Sequence, residues 1–345
     1  MEKFGKPVPH SLKTHEWPLK DQLAWEEARK PHGRLTRGGK AAHLKSVSQS
    51  DLEKRYGLFL DHAARSGVLV NTGIIAAFVI PEIVASYVSE LKLRVSSVTV
   101  QGSIAKLKRM AQILNPQADW RWLQDIENDL ALDMKAASKF ERIVPSDVIV
   151  LAGLTLMEEA DANKEMTRLQ RAQRYRNGLM IALLALCPIR LKNFSSLMLD
   201  GNFIRLGNRW CITLRADETK EKRPDQRPIP SFLTIFIDSY LMLYRPLFKS
   251  PGKLLWAGRY GKPLGYSAVE RIVTETTRMT LGIAISPHLF RTCAASTAYM
   301  HAVGSSNLAS PLLNHRGSQT TREHYDRGKG EFYSCEFGKL LDNIY

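Results

Sequence analysis

The sequence predicts a mainly α protein with one small antiparallel β-sheet, an α+β chain of two domains behind an N-terminal arm. Three observations carry this. Apolar residues recur at helical spacing in four successive stretches between residues 48 and 130. The pattern breaks along Lys139-Phe-Glu-Arg-Ile-Val-Pro145, after which Ser146-Asp147 caps a new run. Strict alternation then takes over at 203–206 and 210–215, on either side of a Gly207-Asn208 turn. The expected division is an arm over 1–45, a helical domain over 46–142 and a second domain over 143–345.

Residues 1–45 are rich in Lys, Arg, Gly, Pro and His and include His32-Gly-Arg-Leu-Thr-Arg-Gly-Gly-Lys40. This composition predicts a partly flexible basic arm, read either as a solvated tail or as a source of extra phosphate contacts. A short helix over 19–29 is expected within it, with Leu23, Trp25 and Ala28 sharing part of a face.

From Ser48 the character changes. Ser48-Gln-Ser-Asp-Leu-Glu53 opens with capping residues, and Leu52, Tyr56, Leu58, Phe59 and Ala63 follow at helical spacing. A second helix is expected over 80–93, a third after the Ser96-Ser97 cap, and a fourth from near Trp120 through Ile126 and Leu130. The third turns Ile104, Leu107, Met110, Ala111 and Leu114 inward, with Lys106, Lys108 and Arg109 interleaved. Those cations read as a solvated face or as contacts to a nucleic-acid backbone. Four helices without a strand signal predict a small helical domain.

In the second domain, helices are expected over 146–162 and 166–187, the latter stopped by Pro188, which cannot continue the hydrogen-bond ladder. A short helix over 191–199 precedes the two alternating strands and a third strand at 227–229. Helices resume over 231–244, 267–281 and 288–300, with shorter ones at 306–313 and 320–325 and a last amphipathic segment over 331–345.

Composition bounds the function classes. The 345 residues hold 49 Lys+Arg against 34 Asp+Glu, a net charge of +15, which favours a polyanionic partner such as nucleic acid or an anionic membrane surface. The longest apolar run, 179–187, is far shorter than the roughly 18 to 20 residues of a membrane span. The first residues lack the apolar stretch and cleavage pattern of a secretory signal, so an intracellular, soluble protein is expected. Cys187, Cys211, Cys293 and Cys335 are widely scattered and read as reduced, mostly buried thiols rather than a metal or disulfide framework.

The chemistry gathers late in the chain. Ser286-Pro-His-Leu-Phe-Arg-Thr292 and Leu312-Leu-Asn-His-Arg-Gly-Ser-Gln-Thr-Thr-Arg-Glu-His-Tyr-Asp-Arg327 bring His288, Arg291, His315 and Tyr325 into one short region. Exchanging a phosphodiester bond without a metal needs a nucleophile, cations for the non-bridging oxygens and an acid for the departing oxygen. Arginine serves the second task because its planar fork donates two hydrogen bonds to one phosphate and stays charged. A tyrosine, with an ordinary pKa of about 10, needs nearby positive charge and a proton acceptor to attack at neutral pH. None of the acidic clusters of two-metal nucleases is evident in the sequence.

Together these motifs resemble the tyrosine recombinase, or phage integrase, family over roughly residues 146–325. Cys187-Pro-Ile-Arg-Leu-Lys-Asn-Phe-Ser-Ser-Leu197 matches the first-arginine motif and implicates Arg190. Pro287-His-Leu-Phe-Arg291 matches the His-x-x-Arg motif, implicating His288 and Arg291, while Leu313-Asn-His315 followed by Thr320-Thr321 and Tyr325 matches the late histidine and nucleophile. Lys220 stands where the family's hairpin lysine is expected, with Lys222 two residues on as the alternative. Three positions depart from the pattern: Asn314 replaces the usual glycine, Asn193 the frequent acidic residue, and Thr292 a frequent histidine. Tyr333 and Tyr345 lie outside the motif.

The resemblance implies that Tyr325 attacks a DNA phosphate to leave a 3′-phosphotyrosyl link and a free 5′-hydroxyl. Arg190 and Arg291, assisted by His315, hold the phosphate. Lys220 protonates the leaving oxygen, and His288 moves a proton or orients its neighbours. It further implies a helical core-binding (SAM-like) domain that closes with the catalytic domain on double-stranded DNA of inverted half-sites. Lys106, Lys108, Arg109, Lys222 and Arg223 are candidate DNA contacts. Expected partners are a dimer on each site, a tetramer in the synapse and an accessory DNA-bending or directionality protein, without a metal, cofactor or membrane. The implied setting is a mobile element and a cytoplasmic, nucleoid-associated enzyme encoded by a bacterium or phage. The rivals are a type IB topoisomerase, which shares the chemistry but relaxes supercoils, and a catalytically silent DNA-binding regulator.

Overall fold

The computed structural model describes residues 9–31, 33, 38–68, 73–135, 140–249 and 252–301. Among the described residues the chain is mainly helical, with one three-stranded antiparallel sheet, and it divides into two compact units, 1–137 and 138–345. The division falls ahead of the expected junction after 142, so the short 3-10 turn Phe140–Arg142 belongs with the second unit.

Among the described residues the first unit has α1 Leu19–Arg29, α2 Ser46–Arg65, α3 Pro81–Lys92, α4 Ser97–Leu114 and α5 Arg121–Leu132. Local signals place the starts of α3 and α4, whereas α2 begins at Ser46 behind Lys45, ahead of the expected capping residues from Ser48 and with no side-chain cap. Pro81 opens α3, where its missing N–H costs no helical bond, and the Ser96 hydroxyl caps α4 by accepting from the Thr99 amide. Their apolar sides meet around Leu52, Tyr56, Phe59, Tyr87, Ile104 and Met110.

The described part of residues 1–45 is not a peripheral arm. Trp17 and Trp25 are buried in the same core, with Trp17 edge-on to Tyr56 at 4.9 Å between ring centroids. The Leu12 amide donates to the Gly57 carbonyl, and a Cβ at Gly57 would sit 2.3 Å from the Leu12 carbonyl oxygen, so the N-terminal segment lies directly against α2. Two tryptophans supply the burial that the basic composition conceals. The face of α1 also differs from expectation: Leu23 is exposed, and the inward positions are Asp21, Trp25 and Ala28. Asp21 is fully buried because the Tyr56 hydroxyl and the Ala76 amide both donate to it, each at 2.7 Å.

The second unit is built around α7, Arg168–Leu186, buried without a break from Gly178 to Ala185. Preceding it, α6 (Ser146–Ala162) packs antiparallel along it; a Cβ at either Gly153 or Gly178 would approach the other's carbonyl oxygen to 2.7 or 2.6 Å. The reciprocal capping box of Thr167 and Gln170 starts α7, and Pro188 follows its end at Cys187.

Next come α8 (Leu191–Ser195), β1 (Phe203–Leu206), β2 (Arg209–Leu214) and β3 (Asp225–Pro228), in sheet order β1-β2-β3. Register pairs Phe203 with Ile212 and Cys211 with Pro228. The helix α8 is shorter than the expected 191–199 because the chain then leaves it to bond a neighbouring segment: Leu255 N donates to Leu197 O and Leu199 N to Lys253 O.

The single helix expected over 231–244 is a composite. A 3-10 turn, Ser231–Leu233, leads into α9 (Thr234–Ser239), a π turn (Tyr240–Tyr244) and a final 3-10 turn (Arg245–Phe248). Pro246, with no N–H to return to the Met242 carbonyl, falls where the ladder re-registers. Helices α10 (Tyr266–Leu281) and α11 (Pro287–His301) complete the described unit and pack on α7. Helices expected beyond 301, and Cys335, lie outside the described residues; Cys187, Cys211 and Cys293 are buried free thiols.

Candidate active site

The turn after α7 positions the first arginine. With no N–H on Pro188, the ladder ends at Cys187, and a tight turn forms in which the Ile189 amide donates to the Cys187 carbonyl. Ile189 is buried, and Arg190 follows as the N-cap of α8 with φ −66° and ψ 141°. Its carbonyl accepts from Asn193 and Phe194, while the Trp256 indole donates to the Phe194 carbonyl at 2.8 Å. The side chain therefore emerges, 30% exposed, from a backbone clamped on both sides.

Helix α11 delivers the second arginine to the same turn. His288 is exposed at its start, and Arg291, one helical turn later, is only 6% exposed. The Nη1 of Arg291 donates to the Pro188 carbonyl at 2.5 Å across a separation of 103 residues. Two arginines that are remote in sequence thus converge on Pro188-Ile-Arg190.

The connection between β2 and β3 brings a third group. Within it Thr219 is buried; its hydroxyl donates to the Arg223 carbonyl at 2.7 Å and accepts from the Arg223 amide at 3.0 Å. Glu218 accepts from the Arg215 amide at 2.8 Å and from the Asn202 side chain at 3.3 Å. Lys220, Lys222 and Arg223 are exposed on this turn, Lys222 at φ +53°. Between the two lysines, Glu221 accepts from Arg190 Nη2 at 2.9 Å, with its side chain 19% exposed. Sequence reasoning missed Glu221: a glutamate between two lysines reads as a solvated charge, and a contact 31 residues away leaves no local pattern.

A buried cation on β3 was also missed. Arg227 donates through Nε and Nη2 to Asp225, at 3.0 and 2.9 Å, and its positive charge acts on the Cys187 thiol. Burial nevertheless dominates there and pushes that thiol up to about 12, with Arg227 pulling the other way. The thiol is held neutral beside the arginine-bearing turn.

The cations of α4 are placed differently from one another. Lys106 pairs with Asp51 of α2 at 2.8 Å, Lys108 pairs with Glu127 and bonds Gln124 of α5, and Arg109 is exposed. His315 and Tyr325 lie outside the described residues. Among the described residues, no group of three or more His, Cys, Asp or Glu is placed to hold a metal ion, and no helix is long and apolar enough to cross a membrane.

No protein-family model matches the chain, and no curated protein sequence matches it. Solved structures do align with it. The XerH site-specific recombinase bound to palindromic difH substrate, in a post-cleavage complex, is 12% identical; the alignment covers 95% of this chain and 99% of that one, at a TM-score of 0.47. XerA recombinase is 15% identical over 86% of this chain and 94% of its own, at 0.41. A lambda integrase (75–356) dimer bound to a COC′ core site gives 13% identity, 83% and 90% coverage, and 0.48. What the chain is similar to in these comparisons is a set of recombinases and an integrase.

Proposed function

We propose that the chain is a site-specific DNA recombinase that cleaves and rejoins strands through a 3′-phosphotyrosyl intermediate. The observation that carries the reading is the Arg291 bond to the Pro188 carbonyl, which sets the arginine of the late His-x-x-Arg motif against the turn that presents Arg190. Two forked cations on one buried frame suit the two non-bridging oxygens of a single phosphate.

In this reading the phenol oxygen of Tyr325 forms a bond to phosphorus as the P–O5′ bond breaks. The phenol proton leaves to an acceptor, for which His288 is the candidate. The ammonium of Lys220 gives its proton to the departing 5′ oxygen, and Arg190 and Arg291, with His315, hold the charge on the phosphate throughout. Attack by a 5′-hydroxyl of a partner strand reverses these bonds, and repetition exchanges strands through a four-way junction. Tyr325 and His315 enter through their motif alone.

The helical domain is proposed to close on duplex DNA together with the catalytic domain, as one of two copies on inverted half-sites and four in the synapse. Arg109, Lys222 and Arg223 are exposed cations suited to phosphate contacts. A mobile element in a bacterial or phage setting, with a cytoplasmic enzyme and an accessory DNA-bending protein, is the proposed context.

The test begins with duplexes selected by the full chain from a random-sequence pool. A nick placed near the cleavage point lets the short strand diffuse away, so a covalent protein–DNA product accumulates. Wild type should form it and Tyr325→Phe should not. Absence of the product with wild type would refute catalysis, leaving the silent regulator; relaxation of supercoils without joining of two duplexes would favour the topoisomerase. Binding should weaken steeply with salt, since contacts to phosphates release counterions.

A further inference from the structure

The ion pair between Arg190 and Glu221 links two parts of the proposed site. It joins half-buried groups at 2.9 Å, where screening by water and salt is weaker than at the open surface. A single Nη2–Oε1 contact engages one edge of the guanidinium and leaves other N–H groups of its five for a further acceptor. No carboxylate lies in α8 itself, Leu-Lys-Asn-Phe-Ser, where Asn193 stands three residues after Arg190. The counter-charge comes from a different element.

That element is internally stiff. Thr219 bonds Arg223 through both carbonyl and amide, and Glu218 ties Arg215 and Asn202. Such a turn moves as one body, so fixing Glu221 also fixes its neighbours. Lys220 is adjacent to Glu221, with α-carbons about 3.8 Å apart, and is exposed.

We propose that Glu221 is a positioning residue for strand cleavage: its carboxylate ties the β2–β3 turn to Arg190, so that a phosphate gripped by the arginine meets the ammonium of Lys220 at its leaving oxygen. This rests on the recombinase reading above. The step served is the one in which the Lys220 proton passes to O5′ while the P–O5′ bond breaks and the Tyr325 O–P bond forms. Glu221 itself touches neither phosphate nor leaving group.

The test uses the duplex selected above in two forms, one ordinary and one with sulfur replacing the bridging 5′ oxygen of the scissile phosphate. A thiolate departs without a proton, so the sulfur form has no need of a general acid. Glu221→Ala should slow covalent-product formation on the oxygen duplex by about 10²-fold, the lower end of what general acid catalysis contributes, while cleaving the sulfur duplex within about fivefold of wild type. Lys220→Ala should show the same pattern, and Glu221→Asp should regain part of the oxygen-duplex rate. Glu221→Gln, which keeps size and a hydrogen-bond acceptor but not the charge, provides a second variant should the alanine protein melt early.

An equal loss on both duplexes would overturn the proposal, because Glu221 would then act only through the grip of Arg190. An unchanged or faster rate would overturn it too, identifying the carboxylate as a mere occupant of the phosphate position. Failure of wild type on both duplexes would instead bring down the recombinase reading, and Glu221 with it.

Discussion

Replacing Gly178 by alanine asks one methyl group to enter the contact between α6 and α7. The new Cβ would lie 2.6 Å from the Gly153 carbonyl oxygen, 2.9 Å from Met157 Cγ and 3.3 Å from Leu156 Cβ. Met157 can turn aside, but a helical carbonyl cannot, so the helices must part by most of an ångström. A gap of about 0.5–1 Å forfeits a quarter to a half of each dispersion contact along the seam, and overpacking of this kind costs about 1–3 kcal/mol. Alanine also raises helix propensity by about 0.8–1 kcal/mol. The steric cost wins, and we expect a net loss of up to about 2 kcal/mol, which lowers the melting temperature at roughly 2–4 °C per kcal/mol. Gly102 on α4 is the control: nothing lies within 4 Å of its added Cβ, so Gly102→Ala should stabilise by about 0.5–1 kcal/mol. Thermal and urea unfolding of the two full-length variants against wild type measure both. If Gly178→Ala stabilised the protein as Gly102→Ala does, the close approach of α6 and α7 would be refuted.

Arg190→Ala should abolish the covalent product on a nicked selected duplex although it lies far from Tyr325 in sequence; trapping at the wild-type rate would remove Arg190 from the site. Burial raises the Asp21 carboxyl above its ordinary 3.8, against the donors Ala76 and Tyr56. Its contribution to stability is therefore complete below about 3.8 and lost as pH rises through the raised folded value. Tyr56→Phe takes from the buried Asp21 carboxyl one of its two donors and should cost about 1–3 kcal/mol, as read from urea melts of the full chain against wild type. Burial pushes the Cys187 and Cys293 thiols up to about 12 and 11. At pH 8 both should resist iodoacetamide in the folded chain and react once it is denatured, as peptide mass spectrometry would show.

Elements with a local signal were legible in the sequence. Helix α6 runs over the expected Ser146–Ala162 because a regular apolar stripe and the preceding proline act within a few residues, although Pro145, not the expected Ser146-Asp147 pair, stands at the N-cap and the Ser146 hydroxyl caps nothing. The hairpin β1–β2 was legible for the same reason, its turn being set by Gly207 at φ +59°. What escaped depends on distant partners. Trp17 and Trp25 are core residues inside a basic stretch, α8 is cut short by bonds to residues 253–255, and the helix after 231 is rewound near a proline. In the site, the spacing of His288 and Arg291 was visible, whereas Glu221 joins Arg190 only once the sheet has brought its turn across.

The bond from Arg291 to Pro188 has a donor made of side chain and an acceptor made of main chain. Every residue type carries that carbonyl, so no replacement at position 188 deletes the acceptor, and the genetic code can erase the link directly only at position 291. Drift at the turn is thereby buffered, while the arginine stands as a single point of failure. Lysine would keep the charge there but not the fork.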